Sequence, residues 1–136
     1  MLLREDIWNT LKFEDKNKVT QNHVSTIQWS QSDGPHCLRR LMERRFQEAL
    51  GADGPVSWDA VFNESKTMAQ FQTKYDFICK RTFLRPRDVI QFCNEVLEAF
   101  KTDPSPGGFD SEHVKAAEKK YSRYFMLELE DELHKH

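Results

Sequence analysis

A proline set directly before a long apolar stripe constrains this chain more than any other feature. The run is Arg81-Thr82-Phe83-Leu84-Arg85-Pro86-Arg87-Asp88-Val89-Ile90-Gln91-Phe92-Cys93-Asn94. Proline at the first position of a helix loses no hydrogen bond, and it biases the residue before it toward extended backbone. A helix therefore begins sharply at Pro86. Three- and four-residue steps then place Val89, Ile90, Cys93, Val96, Leu97 and Phe100 on one face, while Asp88 suits the positive N-terminal end. Two arginines, Arg85 and Arg87, flank the start.

The chain has 136 residues, enough to bury roughly two thirds of its unfolded surface in a single core. Hydrophobic residues make up 38% and charged residues 31%, and ten phenylalanines and three tryptophans supply large core pieces. A net charge of −2 gives no global field for nucleic acid. Cys37, Cys79 and Cys93 are odd in number and lack disulfide or zinc spacing, so reduced thiols and a cytoplasmic location are expected. No stretch approaches the roughly 20 apolar residues that span a bilayer, and Met1 to Asp6 is too short and too acidic for a signal peptide. No membrane partner is expected.

The remaining pattern is helical with one strand. Glu5 to Phe13, with Ile7, Trp8, Leu11 and Phe13, suits a short helix, and the polar Glu14 to Asn22 reads as a loop or a frayed turn. His23 to Trp29 has the β-branched content and alternation of a strand. Pro35 to Leu50 carries the stripe Leu38, Leu41, Met42, Phe46, Ala49 and Leu50, closed by Gly51. Trp58 to Phe62 reads as a short helix or turn, and Thr67 to Phe83 as a region containing a helix with Phe71, Tyr75, Ile78 and Cys79 inward. Asp103 to Gly108 is the clearest connector. Asp110 or Ser111 then caps a last helix with Val114, Ala117, Tyr121, Tyr124, Phe125, Leu129 and Leu133 inward.

The Arg-Pro-Arg step opening an apolar helix, together with this order of elements, resembles the C-terminal part of bacterial P-loop ATPases of the AAA+ and STAND type. There, a segment similar to Leu3 to Trp8 leaves a late core strand, and one similar to Val24 to Trp29 supplies the next. Leu38 to Phe46 and Trp58 to Phe62 resemble the first elements of the helical lid, and Arg81 to Asn94 its arginine-bearing helix. Glu112 to Glu132, with Ala117-x3-Tyr121-Ser122 and Leu129-x-Asp131-Glu132, resembles the closing helix. The resemblance implies a mainly α fold: an ATPase remnant over residues 1–32 with one or two short strands, then a helical lid-like domain over residues 33–136. It also implies that Arg87, the sensor-2 position, and Arg85 and Arg4 contact nucleotide phosphate in a complete ATPase. ATP and Mg2+ would be cofactors of that assembly, and a P-loop-bearing core or other subunits its partners.

The chain departs from that family where the chemistry is done. A phosphate-cradling loop needs Gly-x4-Gly-Lys-Ser/Thr, and none of Gly34, Gly51, Gly54, Gly107 and Gly108 begins that spacing. The expectation is a noncatalytic portion with negligible nucleotide affinity alone, either a C-terminal fragment of an ATPase or a lid-like module reused without its engine. The rival reading is a free-standing helical interaction module that binds nucleic acid through Arg39, Arg40, Arg44 and Arg45. Glu43 and Glu48 share that helix, which favours a solvated, ion-paired face. Likewise, Arg87 at a helix start could simply pair with a carboxylate on a neighbouring helix.

Other chemistries lack their patterns. His23, His36, His113, His134 and His136 form no His-Glu-x2-His arrangement, and no metal site is expected. No Gly-x-Ser-x-Gly elbow exists, and no thiol sits in a recognisable nucleophile motif, so no catalytic residue is assigned. Tyr121, Tyr124 and Phe125 read as a helix-docking stripe before a base-stacking platform.

Overall fold

A computed structural model of the chain describes residues 4–23 and 27–135, apart from the side chains of Thr20, Asn22 and His23. Among these residues lie seven α-helices: α1 (Glu5–Thr10), α2 (Lys16–His23), α3 (Leu38–Leu50), α4 (Trp58–Val61), α5 (Lys74–Arg81), α6 (Pro86–Thr102) and α7 (Ser111–Lys135). The described residues are mainly helical, and the fold is mainly α as expected. Of the expected strand from His23 to Trp29, residues 24–26 lie outside the described residues, and the other four do not form a strand. His23 ends α2, residues 27–29 are irregular, and the only β pairings among the described residues are isolated bridges, Ser30 with Cys37 and Phe62 with Phe109.

The N-terminal region corrects one expectation. Glu14 to Asn22 was too polar to read as helix, yet Lys16–His23 is one. Asp15 turns the chain with φ 63°, and Lys16 Nζ donates to the carbonyls of Trp8 (2.6 Å) and Leu11 (2.8 Å) while lying 5.3 Å from the Trp8 ring centroid. Ile7, Leu11 and Phe13 stay exposed, so this hairpin is held by local polar contacts and not by a core.

From Cys37 onward the chain builds one core. Helix α3 buries Leu38 and Met42 of its predicted stripe and half-buries Leu41 and Phe46, but leaves Ala49 and Leu50 exposed before it stops where Gly51 adopts φ 61°. Glu43 on α3 accepts the Trp58 backbone N–H (2.7 Å), which satisfies an amide at the start of α4 that no local side chain caps. Trp58 then stacks on Phe62 with ring centroids 4.0 Å apart, and Tyr75 meets it edge-on at 5.2 Å. Phe62, Phe109 and Phe100 continue the aromatic contacts at 5.0 and 5.2 Å toward the end of α6. Tyr75 also joins three segments, donating to the Gln31 carbonyl (2.8 Å) and accepting the Arg39 N–H (3.1 Å).

The principal helix pair is α6 with α7. Val89, Phe92, Cys93 and Val96 face Val114, Ala117 and Tyr121, with the Phe92 and Tyr121 rings 5.2 Å apart. The connector between the helices is fixed by His113, whose Nδ1 accepts the Asp110 N–H (2.8 Å) and whose Nε2 donates to the Asp103 carbonyl. Gly108 is required there: its φ is 93°, and a Cβ would lie 2.4 Å from the Val61 carbonyl oxygen.

Four further residues expected inward are not. Phe71 stands 90% exposed in a turn where Gln70 and Phe71 both have positive φ, because helix α5 begins only at Lys74. Leu97, Leu129 and Leu133 are also exposed, the last by 76%. Lys74 is buried instead. Its ammonium donates to the carbonyls of Asn63 and Lys66, and its backbone N–H to both oxygens of Glu64. Burial lowers the Lys74 pKa and raises that of Glu64, each against the attraction of the other. The Trp58 indole N–H faces Glu64 and helps hold its charge without reaching hydrogen-bond geometry.

Candidate functional site

The sequence's strongest feature becomes a corner where α5 ends, α6 starts and α7 passes. Thr82 is buried and returns its hydroxyl to the Ile78 carbonyl (2.7 Å), closing α5. The chain then reverses through Phe83 (φ 53°) and Leu84 (φ 57°), two bulky residues in the left-handed region. Arg85 is extended, as a residue before proline should be, and Pro86 occupies the first turn of α6. Phe83 is 65% exposed on its outer side and stacks on Phe125 of α7 at 5.9 Å on the other.

Each arginine at this corner has a carboxylate partner. Arg87 lies on the exposed first turn of α6, as predicted, but its Nη2 meets Glu128 Oε1 at 2.9 Å. Tyr124 and Glu128 both raise its pKa. Arg85 Nη1 lies 3.8 Å from Asp88 Oδ2, and burial raises the Asp88 pKa despite Arg85 and Arg87. Arg81, which the sequence did not single out, lies over the Phe77 ring at 3.3 Å and bonds Glu118 at 3.1 Å. Arg4 is remote in sequence and pairs with Asp6 at 2.9 Å beside α1.

Between the Arg81–Glu118 pair and Met126 lies a groove of about 250 Å³, walled by Tyr121, Ser122 and Phe125. Tyr121 is 4% exposed and its hydroxyl has no hydrogen-bond partner among the described residues; burial pushes its pKa up to about 12. Sequence spacing could not have found this groove. Arg87 and Glu128, for example, are 41 residues apart and meet only through the α6–α7 pairing.

The arginines of α3 separate. Arg39 rests on the Tyr75 ring at 4.4 Å and lies 4.0 Å from Asp59, while Arg40 pairs with Asp33 at 2.9 Å. Arg44 and Arg45 are exposed and have no ion-pair or hydrogen-bond partner among the described residues. Arg40 and Arg44 border a second groove, about 540 Å³, whose far side is Pro55, Val56 and Ser57. A third, about 570 Å³, lies between α1 and α2. Arg39 is thus engaged with Tyr75 and Asp59, whereas Arg40 and Arg44 share one groove.

Thiol and metal chemistry find no footing among the described residues. No group of three or more His, Cys, Asp or Glu side chains could hold a metal ion. All three cysteines are buried, and burial raises the pKa of Cys79 to about 11 and that of Cys93 further.

The model of the family described as FunZ-associated C-terminal helical domain matches residues 36–130, the span from the start of the aromatic core to the projecting end of α7. The chain belongs to that family. No curated protein and no solved structure matches it. The match agrees with the expected helical C-terminal part of a larger system; the P-loop ATPase parentage gains nothing from it. No described helix is long and apolar enough to cross a membrane.

Proposed function

We propose that this FunZ-associated domain is a noncatalytic accessory module that docks onto another protein through the corner of α5, α6 and α7 and the uncovered second half of α7. The observation that carries this reading is the second half of α7. Beyond Phe125 only Glu128 is partly covered, while Met126, Leu127, Leu129 and Leu133 are exposed by 39 to 76%. Leucines held out on a helix that no core covers mark a surface meant for a protein partner more than for solvent. The family description makes the FunZ system the place to look for that partner.

The test is site-specific cross-linking in the FunZ-containing assembly. A photo-reactive side chain at Leu129 or Leu133 should cross-link to protein, while one at exposed Glu98 on α6 should not. Equal, negligible yields from both positions would sink the reading.

A second reading has its own observation: Arg85, just before α6, and Arg87, on its first turn, are both exposed. In that reading the domain closes on ATP and Mg2+ held by a separate P-loop core, and Glu128 releases Arg87 to the phosphates. Arg87→Ala would then leave the thermal melt unchanged and lower ATP turnover of the assembly on the order of ten- to a thousand-fold. Unchanged turnover would dismiss it.

A further inference from the structure

We propose that the partner of the α7 tip is a second copy of this chain, which receives it in the groove between α3 and the Pro55–Ala60 segment. This deepens the interface reading above and rests on it.

The tip has a defined orientation. An α-helix turns about 100° per residue, so each four-residue step overshoots a full turn by about 40°. Val114, Ala117 and Tyr121 face the core. The steps Tyr121, Phe125, Leu129 and Leu133 then carry the apolar stripe roughly a third of the way around the helix. Met126 joins Leu129 and Leu133 there, and all three are exposed. Glu130 and Glu132 flank this stripe on either side, and both are exposed. The tip is thus an apolar ridge with a carboxylate on either side.

The groove is its complement in shape and sign. Its wall runs from Arg40 to Gln47 on α3, eight residues, or about 10 Å of helix. Met126 to Leu133 is the same length. Val56, Pro55 and Ala60 offer an apolar side, and Arg40 and Arg44 line the α3 side, Arg40 paired with the exposed Asp33 at 2.9 Å. Arg44 has no carboxylate partner among the described residues. Glu43 also lines the groove, where it accepts the Trp58 N–H at 2.7 Å, and α3 as a whole carries four arginines against two glutamates.

Pairing tip against tip is disfavoured by the same charges. Two tips would bring Glu128, Glu130, Asp131 and Glu132 of each copy together, whereas tip against groove brings acids to arginines. Because tip and groove are different surfaces, the contact is head-to-tail, and an open assembly keeps one free tip and one free groove, at opposite ends, unless a ring closes. A patch of this size is smaller than that of a stable complex, so association should be weak and reversible.

Sedimentation velocity on the full chain decides the matter. At low salt the wild type should associate with rising concentration and return to monomer at about 1 M salt, where screening acts over roughly 3 Å. Arg40→Glu with Arg44→Glu should stay monomeric, as should Glu130→Lys with Glu132→Lys. An equimolar mixture of these two should associate again. Thermal melts matching the wild type establish that each is folded; if a reversed pair melts early, Arg44→Gln and Glu130→Gln take its place and should weaken association at least several-fold. A wild type monomeric at every concentration overturns the proposal. So does association that survives Arg40→Glu with Arg44→Glu but is lost in Met126→Ser, Leu129→Ser, Leu133→Ser, although that outcome leaves the tip standing as an interface for a different surface.

Discussion

The two halves of α7 are one continuous helix with opposite fates. Its first half buries His113, Val114, Ala117 and Tyr121 against α6, and its second half carries Met126, Leu127, Leu129 and Leu133 into solvent. Apolar content does not separate them. The difference lies in what stands opposite: the first half faces Val89, Phe92 and Val96, whereas the second runs past the start of α6 at Pro86 and finds only Arg87, bonded to Glu128. Helix propensity carries a helix onward, but burial ends where the neighbouring helix ends. What the first half contributes to stability, the second is free to contribute to binding.

The contrast breaks if substitutions in the two halves cost alike. Phe92→Ala removes the ring packed on Tyr121 and should destabilise the domain by about 3 to 5 kcal/mol, read from urea unfolding. Gly108→Ala strikes the connector that sets where α7 begins. Its positive φ and the 2.4 Å approach to the Val61 carbonyl should cost about 1 to 3 kcal/mol, with α7 still helical by circular dichroism. Leu129→Ser with Leu133→Ser should stay within about 0.5 kcal/mol of wild type. A loss comparable to that of Phe92→Ala would mean the tip is covered within the monomer.

Asp88 sharpens the same boundary, because it sits where covered α6 meets the open corner. Burial raises its folded pKa above the ordinary 3.8, against the attraction of Arg85 and Arg87. Such a group contributes stability that is fully present below the unfolded pKa and is lost as pH rises through the folded value. Stability measured from pH 3 to 7 should therefore decline less steeply in Asp88→Asn than in wild type. The net change at neutral pH should be the smallest of the series, because a charged Asp88 also favours the helix N-terminus. An identical pH profile in the two proteins would show that Asp88 is solvated.

Much of this was legible from residue order. Pro86 fixed the start of α6, Gly51 the end of α3, and the Asp103–Gly108 connector the beginning of α7, each through a local backbone requirement. Helix α2 was not legible, since Lys-Asn-Lys-Val-Thr-Gln-Asn-His has no apolar stripe and is stabilised through Lys16 on Trp8 and Leu11. Leu129 and Leu133 were misread for a geometric reason. They continue the four-residue spacing from Tyr121, but that spacing drifts around a straight helix and leaves the core behind. Of the site, the position of Arg87 was readable and its partner was not. Glu128, Glu118 and the groove beside Tyr121 exist only through the α6–α7 pairing, which spacing along the chain does not encode.

The burial of the three cysteines gives the domain a built-in clock. Cys37 precedes α3, Cys79 lies on α5 and Cys93 on α6, and each is at most 5% exposed. A disulfide reagent can therefore reach each sulfur only while its own helix is parted from the others. The order in which the thiols are labelled reads out the sequence in which the helices come apart.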